Sequence, residues 1–386
     1  MTGRERILAA LDGQEPVRVP LALAFYRVDG AALAPKGAWR DDLVDVGFVD
    51  FPVSAEESEL RRLAMPTEGD TRLGSPSQVA RYASWSYHPE TAGQGNPLEL
   101  ATSLADLERF PFPVAGGPRV VEDLTRQVDD LHRLGLAAGG NTPHLGGELF
   151  EAAWRLRGLE SFLIDLVERK EMAHLLLDRL AELARDNAAT LAGAGVDVLA
   201  LDDDIGMPGR MMISPATWRE FFKPRLAGII ATARSVKPDI RVIYHSDGHF
   251  EPILDDLVEI GVAGINPLQP EHMDALRIRR RFGPWLALWG TVGRQSTFSF
   301  ASPDEIRAEV RARVETLGRA GLVLCPAYDI AGHPVGERRR VPRGGRGLRL
   351  ILSGVRTLTR LPGRGSRRAT ARVPLRPCQP PMPRPA

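Results

Sequence analysis

Two short stretches and a few single residues hold most of the groups able to do chemistry. Asp202-Asp203-Asp204 sets three carboxylates in a row. Neighbours on an extended chain point to opposite sides, so one or two of the three can face a common site. Two carboxylates on one side would repel, raise one pKa and make a general acid. The second stretch is His245-Ser246-Asp247-Gly248. At i and i+2 of an extended chain, His245 and Asp247 fall on one side. That spacing suits two metal ligands, and it equally suits a carboxylate that orients an imidazole for acid–base work. Gly248 permits the tight turn that follows. The phenol of Tyr328 can hydrogen-bond a substrate carboxylate or donate a proton. Asn141, His144 and Gln295 divide between substrate contact and loop structure, and the acids at 202–204 between a site and a solvated loop or helix cap.

These residues follow apolar runs that read as strands: Val19–Phe25, Val46–Phe51, Leu134–Ala138, Val196–Leu201, Ile240–His245, Val262–Asn266, Leu286–Trp289 and Leu322–Cys325. Between most of them the apolar residues recur at i, i+3 and i+4, predicting helices at Phe162–Val167, Glu171–Ala192, Pro215–Ala233, Glu251–Ile260, Asp274–Phe282 and Pro303–Arg319. Ser214-Pro215 and Ser302-Pro303-Asp304-Glu305 carry start signals, and Gly261 and Gly321 carry stop signals. Short apolar strands separated by helices are parallel and buried on both faces. Eight such units predict an α/β fold, a (β/α)8 TIM barrel, whose function sits at the C-terminal ends of the strands. No Gly-rich phosphate loop follows a strand, which argues against a nucleotide-binding doubly wound sheet. The stretch Gln78–Pro113 breaks the alternation and reads as a small antiparallel hairpin insertion near the mouth. Trp85, Tyr87 and Trp289 would supply an apolar wall there, and Cys325 a small core residue in the last strand.

Composition narrows the classes further. Hydrophobic residues make up 43% and charged residues 26% of the chain, the balance of a soluble globular protein. Two cysteines cannot build a disulfide framework, which points to the cytoplasm. No apolar run is long enough to span a membrane, and the opening MTGRERILAALDG has the pattern of a charged amphipathic helix, not a secretory signal. Residues 336–386 carry 14 Arg and a single acid, Glu337, hence +13; with a net charge of +1 overall, residues 1–335 carry −12. An acidic body argues against nucleic acid as partner. The tail lacks aromatic residues and is rich in Pro and Gly, a composition of disorder. A barrel at 1–335 and a disordered basic tail at 336–386 follow. The abrupt switch from AGHPV to GERRRVPRGG suggests a tail read out of frame, because a one-base shift of suitable codons gives Glu-Asn-Val-Val-Ala-Phe-Leu-Glu-Ala, a helix start.

RERILAALDGQEPVRVP, LDDDIGMPGRMMISPATWREFFKPRL, YHSDGHFEPILDDLVEIGVAGINPLQP, LWGTVGRQSTFSFASPDEIRAEV and LCPAYDI, in that order and spacing, resemble the uroporphyrinogen decarboxylase superfamily over residues 1–335. The resemblance implies a (β/α)8 barrel. It also implies either decarboxylation of a tetrapyrrole or other carboxylate, or methyl transfer linked to a corrinoid. In the methyltransferase branch a His-x-Cys pair and a distant Cys hold zinc; here the pair is His245 and Asp247, and Tyr328 stands at the distant position. His and Asp are competent zinc ligands, and losing both thiolates makes the site harder. In the decarboxylases an Asp-Ser-Trp motif stands where this chain has Asp203-Asp204-Ile205, so Asp203 is the matched carboxylate. The preferred reading is corrinoid-linked methyl or one-carbon transfer. It brings a small-molecule substrate, a corrinoid protein as partner, zinc at His245 and Asp247, and room for a homodimer. Asp203, His245, Asp247 and Tyr328 are the expected catalytic residues; Asn141, His144, Asp202 and Gln295 are the expected substrate contacts. A non-catalytic carrier of a corrinoid or tetrapyrrole is the remaining reading.

The decarboxylases hold their many-carboxylate substrate with an arginine-rich loop after the first strand, where this chain keeps only Arg27. Uroporphyrinogen should therefore not be decarboxylated at a physiological rate. Coproporphyrinogen forming at about 10 s⁻¹ would contradict this.

Overall fold

Seven of the apolar runs form one parallel sheet. The computed structural model describes residues 1–22, 44–51, 96–112, 118–141, 147–293, 296–297 and 301–327. In chain order the strands are β1 (Val46–Phe48), β2 (Ala137–Asn141), β3 (Val198–Asp202), the two-residue β4 (Gly206–Met207) and β5 (Arg210–Met211), β6 (Arg241–His245), β7 (Gly264–Leu268), β8 (Ala287–Val292) and β9 (Leu322–Pro326). The sheet runs β1-β2-β3-β6-β7-β8-β9, while β4 and β5 pair with each other as a small antiparallel hairpin. Segment Pro20–Ala22 takes the eighth place. The Ala22 N–H donates to the Leu324 carbonyl at 3.0 Å, and the Leu324 N–H to the Pro20 carbonyl at 3.0 Å. On the other side the Asp45 N–H, just ahead of β1, donates to the Leu21 carbonyl at 2.9 Å. The sheet thereby closes into a (β/α)8 barrel.

Alternation along the strands divides the apolar residues into two sets. Val46, Phe48, Ala137, Val198, Ala200, Ile243, Ala287, Trp289, Val323 and Cys325 pack inside the barrel, above Ile7, Ala10 and Leu11 of α1 (Gly3–Leu11). Leu199, Leu201, Val242, Ile265, Leu288 and Leu324 face outward to the helices. Those are α2 (Leu104–Glu108), α3 (Pro118–Arg133), α4 (Phe150–Arg157), α5 (Leu159–Glu168), α6 (Lys170–Gly193), α7 (Pro215–Phe221), α8 (Lys223–Val236), α9 (Leu254–Glu259), α10 (Ala275–Phe282) and α11 (Pro303–Leu317). Among the described residues, none of these helices is long and apolar enough to cross a membrane.

Three differences from the sequence reading have local causes. The helix expected over Pro215–Ala233 is two helices, α7 and α8. Pro224 lacks an N–H and its ring meets the carbonyl four residues back, so the chain breaks at Phe222. The strand expected at Leu134–Ala138 starts three residues later, because α3 runs on to Arg133 and Gly135, at φ 74°, turns the chain after it. Of the hairpin expected at Gln78–Pro113, the described part forms a turn at 97–100 and then α2. Residues 336–386 lie outside the described residues.

Two buried carboxylates tie off the lower, N-terminal end of the barrel. Asp45 accepts from both Arg6 and Arg18, the latter at 2.8 Å, and from the Leu21 N–H at 2.8 Å. Asp197 accepts from Arg4 at 2.9 Å and the Ala138 N–H at 3.0 Å, and meets His132 Nε2 at 2.8 Å. Asp45→Ala would strand two guanidinium groups and an N–H of the closing segment. We expect a loss of about 3–5 kcal/mol in urea unfolding. A loss under about 1 kcal/mol, the range of an exposed pair, would contradict this role.

Candidate functional site

The upper, C-terminal ends of β3, β6 and β7 are held side by side. Asp202 pairs in register with His245, and His245 with Asn266. Ala200 and Ile243 point inward, so two residues further on Asp202 and His245 point inward too, at the mouth. His245 is 6% exposed. Its Nδ1 lies 2.6 Å from Asn266 Oδ1. An amide oxygen only accepts, so Nδ1 carries the proton and Nε2 presents its lone pair. That lone pair faces Asp202 Oδ1 at 3.8 Å and Asp204 Oδ1 at 3.6 Å.

These distances fit a shared cation better than direct contact. A charge-assisted hydrogen bond would draw the atoms to about 2.7–2.9 Å. Donors around a tetrahedral metal with bonds of about 2.0–2.2 Å stand about 3.4 Å apart. Among the described residues, Asp202, Asp204 and His245 are the one group of three that brings one ligand atom each within 4.8 Å of the others. One imidazole and two carboxylates form a hard-to-borderline set, suited to zinc and other divalent cations.

The loop after β3 is fixed from β6. Asp204 Oδ1 accepts from the Asp247 N–H at 2.6 Å. Ser246 Oγ accepts from the N–H groups of Ile205 and Gly206 at 3.0 and 3.1 Å. The two loops pass so closely that a Cβ on Gly206 would collide with the Asp247 carbonyl; Gly248, at φ 75°, has Met207 N 2.6 Å from where its Cβ would lie. Below, Glu148 accepts the Asp202 N–H through its carboxylate and donates its own N–H to the Asp202 carbonyl.

Asp203 points the other way, as alternation requires. It is fully buried, and its Oδ1 accepts from the N–H groups of Leu149 and Glu151 at 3.4 and 3.1 Å, capping α4. Tyr244 donates its phenol proton to the Asp203 carbonyl at 3.1 Å. Burial outweighs those N–H bonds and lifts the Asp203 carboxyl to about 7. Burial likewise lifts Glu151 to about 8, against the pull of Arg155. Asp202 is raised well above the carboxylate range by burial and then by Asp204, Glu151 and Glu148. His245 is lowered, burial prevailing over Asp204, so its imidazole is neutral near pH 7.

Of the residues expected from the sequence, Asp202 and His245 meet at the mouth. Asp203 turns to α4. Asp247 is not in the group of three; its Oδ1 accepts from Gln269 Nε2 at 3.0 Å. Asn141 ends β2, half-buried. His144, Gln295 and Tyr328, like Arg27, Trp85 and Tyr87, lie outside the described residues. Trp289 is fully buried inside the barrel, edge-on to Phe48. Cys325 is buried in β9, with its thiol pushed up by burial. Sequence reasoning sees Asp204 within the acidic run without selecting it, and misses Glu148 and Glu151 altogether. The i, i+2 relation of Asp204 to Asp202 is the available signal; Glu148 and Glu151 give none.

The raised acids set a pH dependence. The folded values of about 7 for Asp203 and about 8 for Glu151 lie above the unfolded values of 3.8 and 4.5, so the native state holds protons that the unfolded chain has lost. Their contribution is complete below about pH 4 and disappears as pH rises through 7 to 8. The metal-free protein should unfold at higher urea at about pH 5.5 than at about pH 8.5; equal midpoints would contradict this.

The uroporphyrinogen decarboxylase (URO-D) family profile matches residues 149–334, the span from α4 past β9. The methylcobamide:CoM methyltransferase MtaA of Methanosarcina barkeri is 28% identical over 346 residues, covering 86% of this chain and 93% of that protein. Its counterpart from the Fusaro strain matches to the same extent. A methyltransferase structure from Methanosarcina mazei superposes with a TM-score of 0.60 at 18% identity, covering 93% of this chain and 99% of that one. Residues 149–334 thus carry the uroporphyrinogen decarboxylase family domain, and over most of its length the chain is similar to a methylcobamide-dependent methyltransferase.

Proposed function

We propose that this chain transfers a methyl or other one-carbon group to or from a corrinoid, with a divalent metal held by Asp202, Asp204 and His245. The observation that carries the reading is the spacing of those donors: a neutral imidazole nitrogen set 3.6 and 3.8 Å from two carboxylate oxygens. The name of the Methanosarcina barkeri relatives supports the corrinoid. A metal here would act as a Lewis acid on the atom that gives up or takes the methyl group.

The chain's own residues do the rest. Ser246 and the Asp247 N–H hold the Asp204 loop against β6. Glu148 holds the end of β3, and Asp203 anchors the start of α4, which carries Glu151. Phe48 and Trp289 fill the barrel beneath the mouth, which keeps water from entering the site from below. The corrinoid is delivered on a partner protein in the cytoplasm, and zinc is the resident metal. Asn141, His144 and Gln295 remain the proposed contacts for the small substrate, and Asp247 and Tyr328 remain proposed catalytic residues. Asp203 serves α4 and not the mouth, so the geometry favours methyl transfer over a decarboxylation that needs this carboxylate against the substrate.

The test is zinc content together with methyl transfer from methylcob(III)alamin to coenzyme M, the acceptor named for the relatives. The wild type should hold one zinc per chain and transfer methyl groups. Asp204→Asn and His245→Ala should stay folded, lose zinc affinity by at least about a hundredfold and lose transfer in parallel. A folded His245→Ala protein that keeps its zinc would refute the assignment.

A further inference from the structure

The acidic surroundings that suit a cation here also work against the imidazole that would bind it. A neutral imidazole has two tautomers. Negative charge at Asp204, whose Oδ1 lies 3.6 Å from Nε2, favours placing the proton on Nε2, where it points at that carboxylate. That tautomer has no lone pair to offer a cation there. Some group on the other side of the ring must therefore hold the proton on Nδ1.

We infer that Asn266 is the positioning residue that does so, and that it selects the metal-binding tautomer of His245; the inference rests on the metal reading above. Asn266 is 3% exposed and lies beside His245 in the β6–β7 register. Its Oδ1 stands 2.6 Å from Nδ1, a short contact with an obligate acceptor. Its carbonyl accepts the Ser246 N–H at 2.9 Å, so the same residue fixes the backbone just after His245. Gly264, two residues earlier on β7, has the interior residues Ala287 and Leu11 beside it, which puts Asn266 on the interior face as well. The residue type matters. An aspartate would also accept from Nδ1, but it would add one more charge to a mouth that already holds Asp204, Glu148 and Glu151 around Asp202. An amide holds the proton in place without that charge. This is the outer-sphere role that carboxylates and carbonyls play toward ligating histidines, taken here by a side-chain amide.

The test uses the full chain and reads no activity. Nitrogen NMR of the metal-free, isotope-labelled protein, with the His245 signals assigned by their loss in His245→Gln, reports the tautomer directly. The wild type should carry the proton on Nδ1. Asn266→Leu, of similar volume without an acceptor, should move it to Nε2 and weaken zinc binding by about ten- to a hundredfold. Asn266→Asp, which restores the acceptor, should keep the proton on Nδ1 and recover most of the affinity. A wild type with its proton on Nε2, or an Asn266→Leu protein with unchanged tautomer and affinity, overturns the inference. If Asn266→Leu fails to fold, the wild-type and Asn266→Asp spectra still decide it. A wild type that binds no zinc removes the metal reading alone, and the tautomer spectra then decide the role of Asn266 separately.

Discussion

Everything at the mouth depends on one row of strand pairing, Asp202 beside His245 beside Asn266. In a closed parallel barrel each strand brings its C-terminal end to the same rim, and the side-chain period of two decides which residues look inward. The row lies in the middle of the sheet, and closing the barrel turns one face of it inward. Closure in turn rests on the short segment Pro20–Ala22, which bonds to β9 on one side and is held to the start of β1 by Asp45 on the other. The lower face is thus built for stability, with Asp45 matched to Arg6 and Arg18 and Asp197 to Arg4 and His132. The upper face is built the opposite way.

At the upper face Asp202, Asp203, Asp204, Glu148 and Glu151 crowd together, and Arg155 pairs with Glu151. Burial and mutual repulsion raise Asp202, Asp203 and Glu151, a cost that folding alone gives no reason to keep. Another departure lies in the same sheet. Thr291, near the end of β8, is β-branched yet sits at φ 71°, and its fully buried hydroxyl has no hydrogen-bond partner among the described residues. Strain and unpaired polarity of this kind collect where function requires them. A cation among the acids would relieve the repulsion, which ties the electrostatics of the rim to the donor geometry.

Most of the scaffold is legible in the sequence because its signals are local. Apolar runs mark the strands, and Ser214-Pro215 and Ser302 mark helix starts that the structure reproduces. The misses are also local: Pro224 splitting one helix, and Gly139-Gly140 hiding the end of β2, since glycine carries no strand signal. The site is only partly legible. The strand period requires Asp202 and Asp204 to share a side and Asp203 to oppose them, whereas motif matching favours Asp203. The partnership of these acids with His245 joins residues about forty positions apart in sequence, through a strand pairing that no local pattern encodes. Asn266 stands out in the sequence only as a polar residue at a strand end; its role appears once the register is known.

On the proposed reading the mouth would hold a metal through nitrogen and oxygen alone, in place of the thiolates that the resemblance implies for the methyltransferase branch. X-ray absorption of the zinc-loaded protein tests it most directly. The zinc should be surrounded at about 2.0–2.1 Å by nitrogen and oxygen only, and that order should be lost in Asp204→Asn. A sulfur contribution at about 2.3 Å, which Cys325 or Cys378 would have to supply, would contradict it.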